Sequence, residues 1–369
     1  MDKGKRKTTA LRLVKAAAFL LVFALLLGAA SLILTPKENT KKAGIRTPMM
    51  KYFYGEPENS LDFAALGNSD FYRGIIPTDL WRQYGYAGIV AARPGIKMSE
   101  MYYLYKDILT CQNPRLVIVE MGAAFDLKKK NAPSQEENTL KSIAKYPSDE
   151  LGVLEDALAT EFNELFPAVN YHSRWKSLMP RDFDIFNAPD YGRHDPQKGY
   201  LIEVVKRPYK KGDYMQKTDE ATPIHNADRL YLDKIVRLAK DKGAQVLLME
   251  VPDTRSWDYQ RHNAAQQYAQ ENGLPFLDLN LKIKEMGIDW KNDTKDGGEH
   301  MNVYGARKVT KYLGSYLSQN FDLPDRRGDG AYRSWNDDVK QFEETVRQKI
   351  QENPNGVPVK KLKLPPPVK

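Results

Sequence analysis

The chain opens with one long apolar block and then changes rhythm. Ala16 to Leu34 reads AAAFLLVFALLLGAASLIL, 19 residues without a charge, about the length that crosses a hydrocarbon core of roughly 30 Å. A polar, basic stretch from Thr35 to Lys51, holding Pro36 and Pro48, follows as a stalk. From there apolar positions come in short bursts separated by segments with helical spacing. Five bursts predict strands at Asp62–Gly67, Ala87–Ala91, Arg115–Glu120, Ala244–Val251 and Pro275–Leu279. Near-continuous apolar runs suit strands covered on both faces, and their alternation with helical segments predicts an α/β fold on a mainly parallel five-stranded sheet. Helices are predicted at Met98–Leu109 with Ser99 as N-cap, at Asp228–Lys242 closed by Gly243, at Trp257–Asn272 closed by Gly273, and at Val303–Leu317. The last repeats apolar residues at steps of three and four, the spacing of an amphipathic helix lying on a sheet.

One stretch breaks the alternation. About 120 residues lie between the third and fourth strands, far more than an ordinary crossover needs. The stretch is rich in Lys, Glu, Asp and Pro, with a helical patch at Glu150–Leu165 and the aromatic-basic run Tyr171-His172-Ser173-Arg174-Trp175. It reads as a mainly helical insertion over about 127–225, either a lid or substrate wall or a passive elaboration. Beyond 330 the chain predicts a C-terminal helix and then the tail VPVKKLKLPPPVK, basic, Pro-rich and extended.

Charge changes the picture less than its total suggests. The chain of 369 residues carries a formal +8. Six basic residues and one acid fall within the first fifteen positions, and four lysines lie in the tail from Val357, so the body is close to neutral. A neutral body has no basic excess for phosphate, which argues against nucleic acid as a partner. The basic residues before the apolar block place residues 1–15 in the cytoplasm and the rest of the chain outside. A cleaved signal peptide is the rival reading, because Gly28-Ala29-Ala30 has the look of a small-residue cleavage site. The apolar run continues beyond it, which favours an uncleaved anchor at 16–34. Cys111 is the single cysteine, so neither an internal disulfide nor a cysteine-based metal site is expected.

Two places carry chemistry. Ser69, in ALGNSDFYRG, follows the first strand by two residues, at the C-terminal sheet edge where open parallel sheets place their sites. It is open to two readings, nucleophile or helix N-cap. The second place is DGGEHMNVYGARKV, Asp296 to Val309. His300 stands in a loop before the last amphipathic helix, preceded by Asp296, Gly297 and Gly298. A serine hydroxyl needs a base within reach, and the base needs an acid to fix its tautomer; this loop offers both. Asp293 and Glu299 are alternative acids. Asn302 reads as the N-cap of the following helix and Gly305 as a point of close packing. A metal-dependent hydrolase is disfavoured, since no His pair stands at ligand spacing. No cofactor is expected.

Taken together, G-N-S-D after the first strand and a late Asp/His loop opening the final helix resemble the SGNH/GDSL hydrolase superfamily. The resemblance covers roughly 52–329. More closely, LGNSDFYRGIIPTDLW, QNPRLVIVE, YHSRW and DGGEHMNVYGARKVTKYLGSYL with a trailing DRRGD look like blocks of membrane-anchored SGNH-type proteins of Gram-positive bacteria, distantly like the D-alanyl-lipoteichoic acid transfer proteins. The resemblance implies a three-layer α/β/α sandwich of flavodoxin-like order. It implies a serine esterase or O-acyltransferase acting on acyl esters of a cell-envelope glycan or polymer, some relatives working beside a membrane-bound O-acyltransferase. It implies Ser69 as nucleophile, His300 as base, Asp296 as acid, and an oxyanion hole from the N–H groups of Ser69, Gly95 and Gly122. Two departures stand out. Glu120 lies near the place of the superfamily's oxyanion asparagine, and the acid is four residues before the histidine rather than three. They motivate the other reading, a non-catalytic glycan-binding or scaffold module.

Overall fold

The computed structural model describes residues 3–37, 48–125, 162, 165–185 and 194–357. The chain divides into two compact units, Met1–Pro48 with Ser148–Arg193, and Met49–Pro147 with His194–Lys369.

The first unit contains helix α1 (Lys3–Leu34). Its segment Ala10–Leu34 is 25 residues long with a mean hydropathy of 2.7, and among the described residues it is the one helix long and apolar enough to cross a membrane. Short helical turns at Ala168–Tyr171, His172–Ser177 and Pro180–Phe183 belong to the same unit. The patch predicted at Glu150–Leu165 lies almost wholly outside the described residues.

The second unit is the α/β domain. Its elements are β1 (Phe63–Gly67), α2 (Ser69–Gly74), α3 (Pro77–Tyr84), β2 (Gly88–Ala92), α4 (Met98–Ile108) and β3 (Leu116–Glu120). After the insertion come α5 (Asn226–Asp241), β4 (Gln245–Glu250), α6 (Tyr259–Asn272), β5 (Phe276–Asp278), α7 (Val303–Asn320) and α8 (Arg333–Glu352). The sheet runs β2-β1-β3-β4-β5 and every pairing is parallel. That is the flavodoxin-like order, with its switch point between β1 and β3.

Alternation along the strands explains the three layers. Ala64, Leu66, Val117, Val119, Val246 and Leu248 face one side, under α4, α5 and α6. Phe63, Ala65, Leu116, Ile118, Leu247 and Met249 face the other, under α2, α3, α7 and α8. Each buried Val, Leu, Ile, Phe or Met among them contributes about 1.5–3 kcal/mol. The C-terminal helix α8 joins this core through Phe342 and Val346, and its Trp335 packs 5.3 Å from the Trp81 ring.

The five strands lie within a residue or two of the expected spans, and the α5–β4 and α6–β5 turns run through left-handed Gly243 and Gly273. Two expectations need correction. The residue at the α4 N-cap is Lys97, and Ser99 is buried inside the first turn. The described return of the insertion, 194–225, holds no helix. It runs through turns and irregular backbone along the domain instead, with Lys198 accepting at its carbonyl from Val90 N–H and Leu201 N–H donating to the Tyr72 carbonyl.

Candidate active site

The site grows from the C-terminal ends of β1, β3 and β4. At β1 the chain turns at once into α2. The cap of α2 is Asn68, whose side chain accepts from Asp70 N–H at 2.7 Å. Ser69 is therefore not the cap; it is the first residue of α2, half-buried. Gly67 is required just before it. A Cβ there would stand 2.4 Å from Glu120 Oε2 and 2.6 Å from the Phe71 ring. Without that Cβ, Glu120 reaches the N–H of Asn68 and accepts from it.

The second half is the loop before α7. Asp296 grips His300 twice: Oδ1 accepts from the His300 N–H at 2.9 Å and Oδ2 bonds Nδ1 at 2.5 Å. Burial pushes Asp296 upward, but the hydrogen bonds and charge of His300, with Lys295, outweigh it and hold the carboxyl at about 2. Nδ1–H bonded to a carboxylate leaves Nε2 as the acceptor. Nε2 lies 3.7 Å from Oδ1 of Asp70, the residue next to Ser69.

The extra residue between acid and base is absorbed by two glycines. Gly297 and Gly298 have φ of 91° and 105°, a region that L side chains rarely enter. The loop is pinned around them: Gly298 N–H donates to Thr294 Oγ1, Thr254 N–H donates to Gly298 O, and Gly297 N–H donates to Arg207 O. Arg207 belongs to the return of the insertion, which also accepts from Asn302 Nδ2 at Val205 O. This buttress had no signal in the sequence. Asn302 caps α7 at Tyr304 and Gly305 N–H, and Gly305 sits against Asp293 O, as expected. Gly298→Ala should strain this loop, because its Cβ would stand 2.3 Å from Thr254 Oγ1 in a backbone region that L side chains rarely enter, and should lower Tm in thermal melts.

The alternative acids are otherwise engaged. Asp293 is buried, bonded to Lys308 Nζ at 2.6 Å and to Asp289 N–H at 2.6 Å. Glu299 pairs with Arg255. Gly122 also needs correction as an oxyanion donor, because its N–H donates to Glu250 Oε2 at 2.5 Å. Gly95 sits exposed in a left-handed turn after β2, φ 61°, with open space about its Cα.

Sequence reasoning missed what lies behind the serine. Asp70, Glu120 and Glu250 bring carboxylate oxygens within 4.8 Å of one another, all buried. Asp70 Oδ1 and Glu120 Oε1 have no hydrogen-bond partner among the described residues. Burial is the main force here, and mutual charge adds to it. Asp70 and Glu250 rise well above the ordinary carboxylate range, Glu120 is pushed up to about 8 despite the Asn68 N–H, and nearby Asp253 to about 6. With Glu120 at about 8, at least that carboxyl holds its proton at neutral pH. A signal was present: the apolar runs of β3 and β4 both end in Glu, and adjacent parallel strands bring those ends together. Asp296, Glu299 and His300 form a second group with ligand atoms within 4.8 Å, but Asp296 spends both oxygens on His300.

Because the folded-state pKa of Glu120 is raised, its contribution is full below the unfolded value near 4.5 and is lost as pH rises toward about 8. Glu120→Gln should flatten that decline, and the gain in Tm over the parent should widen from pH 5 to pH 8 in thermal melts.

No family model matches the chain, and no curated protein matches it. Among solved structures, it is similar to a GDSL-like lipase of Bacteroides thetaiotaomicron at 13% identity, covering 70% of this chain and 87% of that one with a TM-score of 0.31. It is similar to a lipase/acylhydrolase of Enterococcus faecalis at 11% identity, covering 72% and 99%, TM-score 0.35. It is also similar to a catalytic mutant of an acetylxylan esterase of Geobacillus stearothermophilus at 10% identity, covering 72% and 97%, TM-score 0.34.

Proposed function

We propose that this chain is a membrane-tethered serine esterase or O-acyltransferase of SGNH type, acting outside the cytoplasm on acyl esters of a cell-envelope glycan or polymer. The observation that carries the reading is the Asp296–His300 pair, its Nε2 turned toward the Ser69–Asp70 corner at the end of β1. Ser69 Oγ attacks the ester carbonyl and its proton passes to His300 Nε2. The N–H groups of Ser69 and Gly95 receive the oxyanion. The alcohol leaves with the proton from His300. Water, or a hydroxyl of an acceptor glycan, then attacks the acyl-serine by the reverse path. An anion at Glu120 would oppose the oxyanion; a buried carboxyl that stays protonated to about pH 8 does not. The tether of α1 keeps the domain at the membrane, where lipid-linked or wall polymers and a membrane-bound O-acyltransferase would meet it.

The test is covalent. Full-length protein in detergent should react with a fluorophosphonate, the adduct mapping by mass spectrometry to the Ser69 peptide, and should hydrolyse p-nitrophenyl acetate. The loss of the Gly122 N–H to Glu250 favours one other reading, a non-catalytic glycan-binding module. Absence of both labelling and turnover, with retained binding to acylated polymer, would select it.

A further inference from the structure

The first unit carries a surface that the enzyme reading does not use. Outside α1, nine large apolar side chains are exposed among the described residues, and six of them fall within 162–185: Phe162, Leu165, Val169, Trp175, Phe183 and Ile185. Leu165, Trp175 and Phe183 are 70%, 66% and 60% exposed. So dense a group on a water-facing surface is unusual and marks an interaction site.

Its attachment says where it sits. Ala168 N–H donates to Ser31 Oγ at 3.1 Å, and the Arg174 guanidinium donates to the Leu34 carbonyl. Arg174 is buried and its Nη2 donates to both oxygens of buried Asp182, at 3.0 and 2.9 Å, and Asp182 also accepts from Met179 N–H. A cation at a helix C-terminus meets the negative end of the helix dipole, so this pair rivets the turns His172–Ser177 and Pro180–Phe183 to the last turn of α1. The 25 residues of Ala10–Leu34 extend about 37 Å, longer than a core of about 30 Å. A span of that length leaves room for its last turn, and the turns riveted to it, at the headgroup boundary. Lys176 Nζ stands 5.3 Å over the Trp175 ring, and Arg181 lies on the neighbouring turn. Tryptophan and basic residues side by side are the composition of membrane–water interfaces.

We propose that residues 165–185 form a collar at the C-terminal end of α1 that lies in the bilayer interface, with Trp175 and Phe183 dipping to the acyl boundary and Lys176 and Arg181 among anionic headgroups. The collar fixes the emerging chain at the membrane surface independently of any partner protein. It rests on the reading of α1 as a membrane span.

Nitroxide depth measurement tests it on the full-length chain in phosphatidylcholine–phosphatidylglycerol vesicles. Single labels go at Trp175→Cys, Phe183→Cys, Phe23→Cys and Lys340→Cys, each in a Cys111→Ser background. Collision with oxygen against a water-soluble nickel chelate gives the depth. Position 23 should be deep, position 340 aqueous, and 175 and 183 intermediate, near the headgroup boundary. A deep 23 with 175 and 183 as aqueous as 340 overturns the collar and leaves the span standing. If all four are aqueous, the span falls and the collar with it.

Discussion

Full-length protein carrying Ser69→Ala should lose fluorophosphonate labelling altogether, and its hydrolysis of p-nitrophenyl acetate should fall about 10⁶-fold. His300→Ala should lose as much, and the double variant no more, because nucleophile and base act as one unit. Neither loss would come from unfolding. Asn68 rather than Ser69 caps α2, and Ser69 is half-buried at the sheet edge, so its truncation should leave the unfolding free energy within about 0.5 kcal/mol of the parent. Circular dichroism and thermal melts check that separation. Equal rates for parent and Ser69→Ala would sink the serine mechanism, leaving the binding-module reading.

The architecture was legible because each layer follows from local pattern. The runs Leu116–Val119 and Val246–Met249 are apolar at every position, the pattern of a doubly covered strand, and the glycines after α5 and α6 mark the ends of those helices. The last helix and its Asn302 cap were legible for the same reason. The site was legible in part. Asp296 and His300 are four residues apart, so their pairing is a local matter that two positive-φ glycines solve. The carboxyl cluster is not local: Glu120 and Glu250 end β3 and β4, Asp70 stands in the first turn of α2 after β1, and their meeting depends on the β1-β3-β4 order. The cap at Asn68 turns on one side-chain rotation that the serine beside it could equally have supplied. The return of the insertion was misread because its charged, proline-bearing sequence has no period; it is held by backbone bonds to Val90, Thr294 and Trp290, which leave no side-chain pattern.

Asp296→Asn should lower kcat about 10⁴-fold while leaving KM and the fold nearly intact. An asparagine keeps the shape and can still accept from the His300 N–H, as Oδ1 does now at 2.9 Å. Its amide, however, turned toward Nδ1 where Oδ2 now sits at 2.5 Å, donates instead of accepting. The imidazole must then carry its proton on Nε2, the atom that has to accept from the serine, and the wrong tautomer is the whole defect. Asp293→Asn makes the opposite prediction. Asp293 is buried and its carboxylate serves half-buried Lys308 and the Asp289 N–H, so removing its charge weakens both bonds and costs about 1–3 kcal/mol of stability without a comparable fall in kcat. Glu299→Gln removes only a partly exposed pair with Arg255, worth about 1 kcal/mol or less, and should be silent in kinetics. Measured together, kcat and Tm of the three variants assign the acid: a kinetic defect at 293 rather than 296 would move the role to Asp293 and leave the Asp296 contact as loop structure alone.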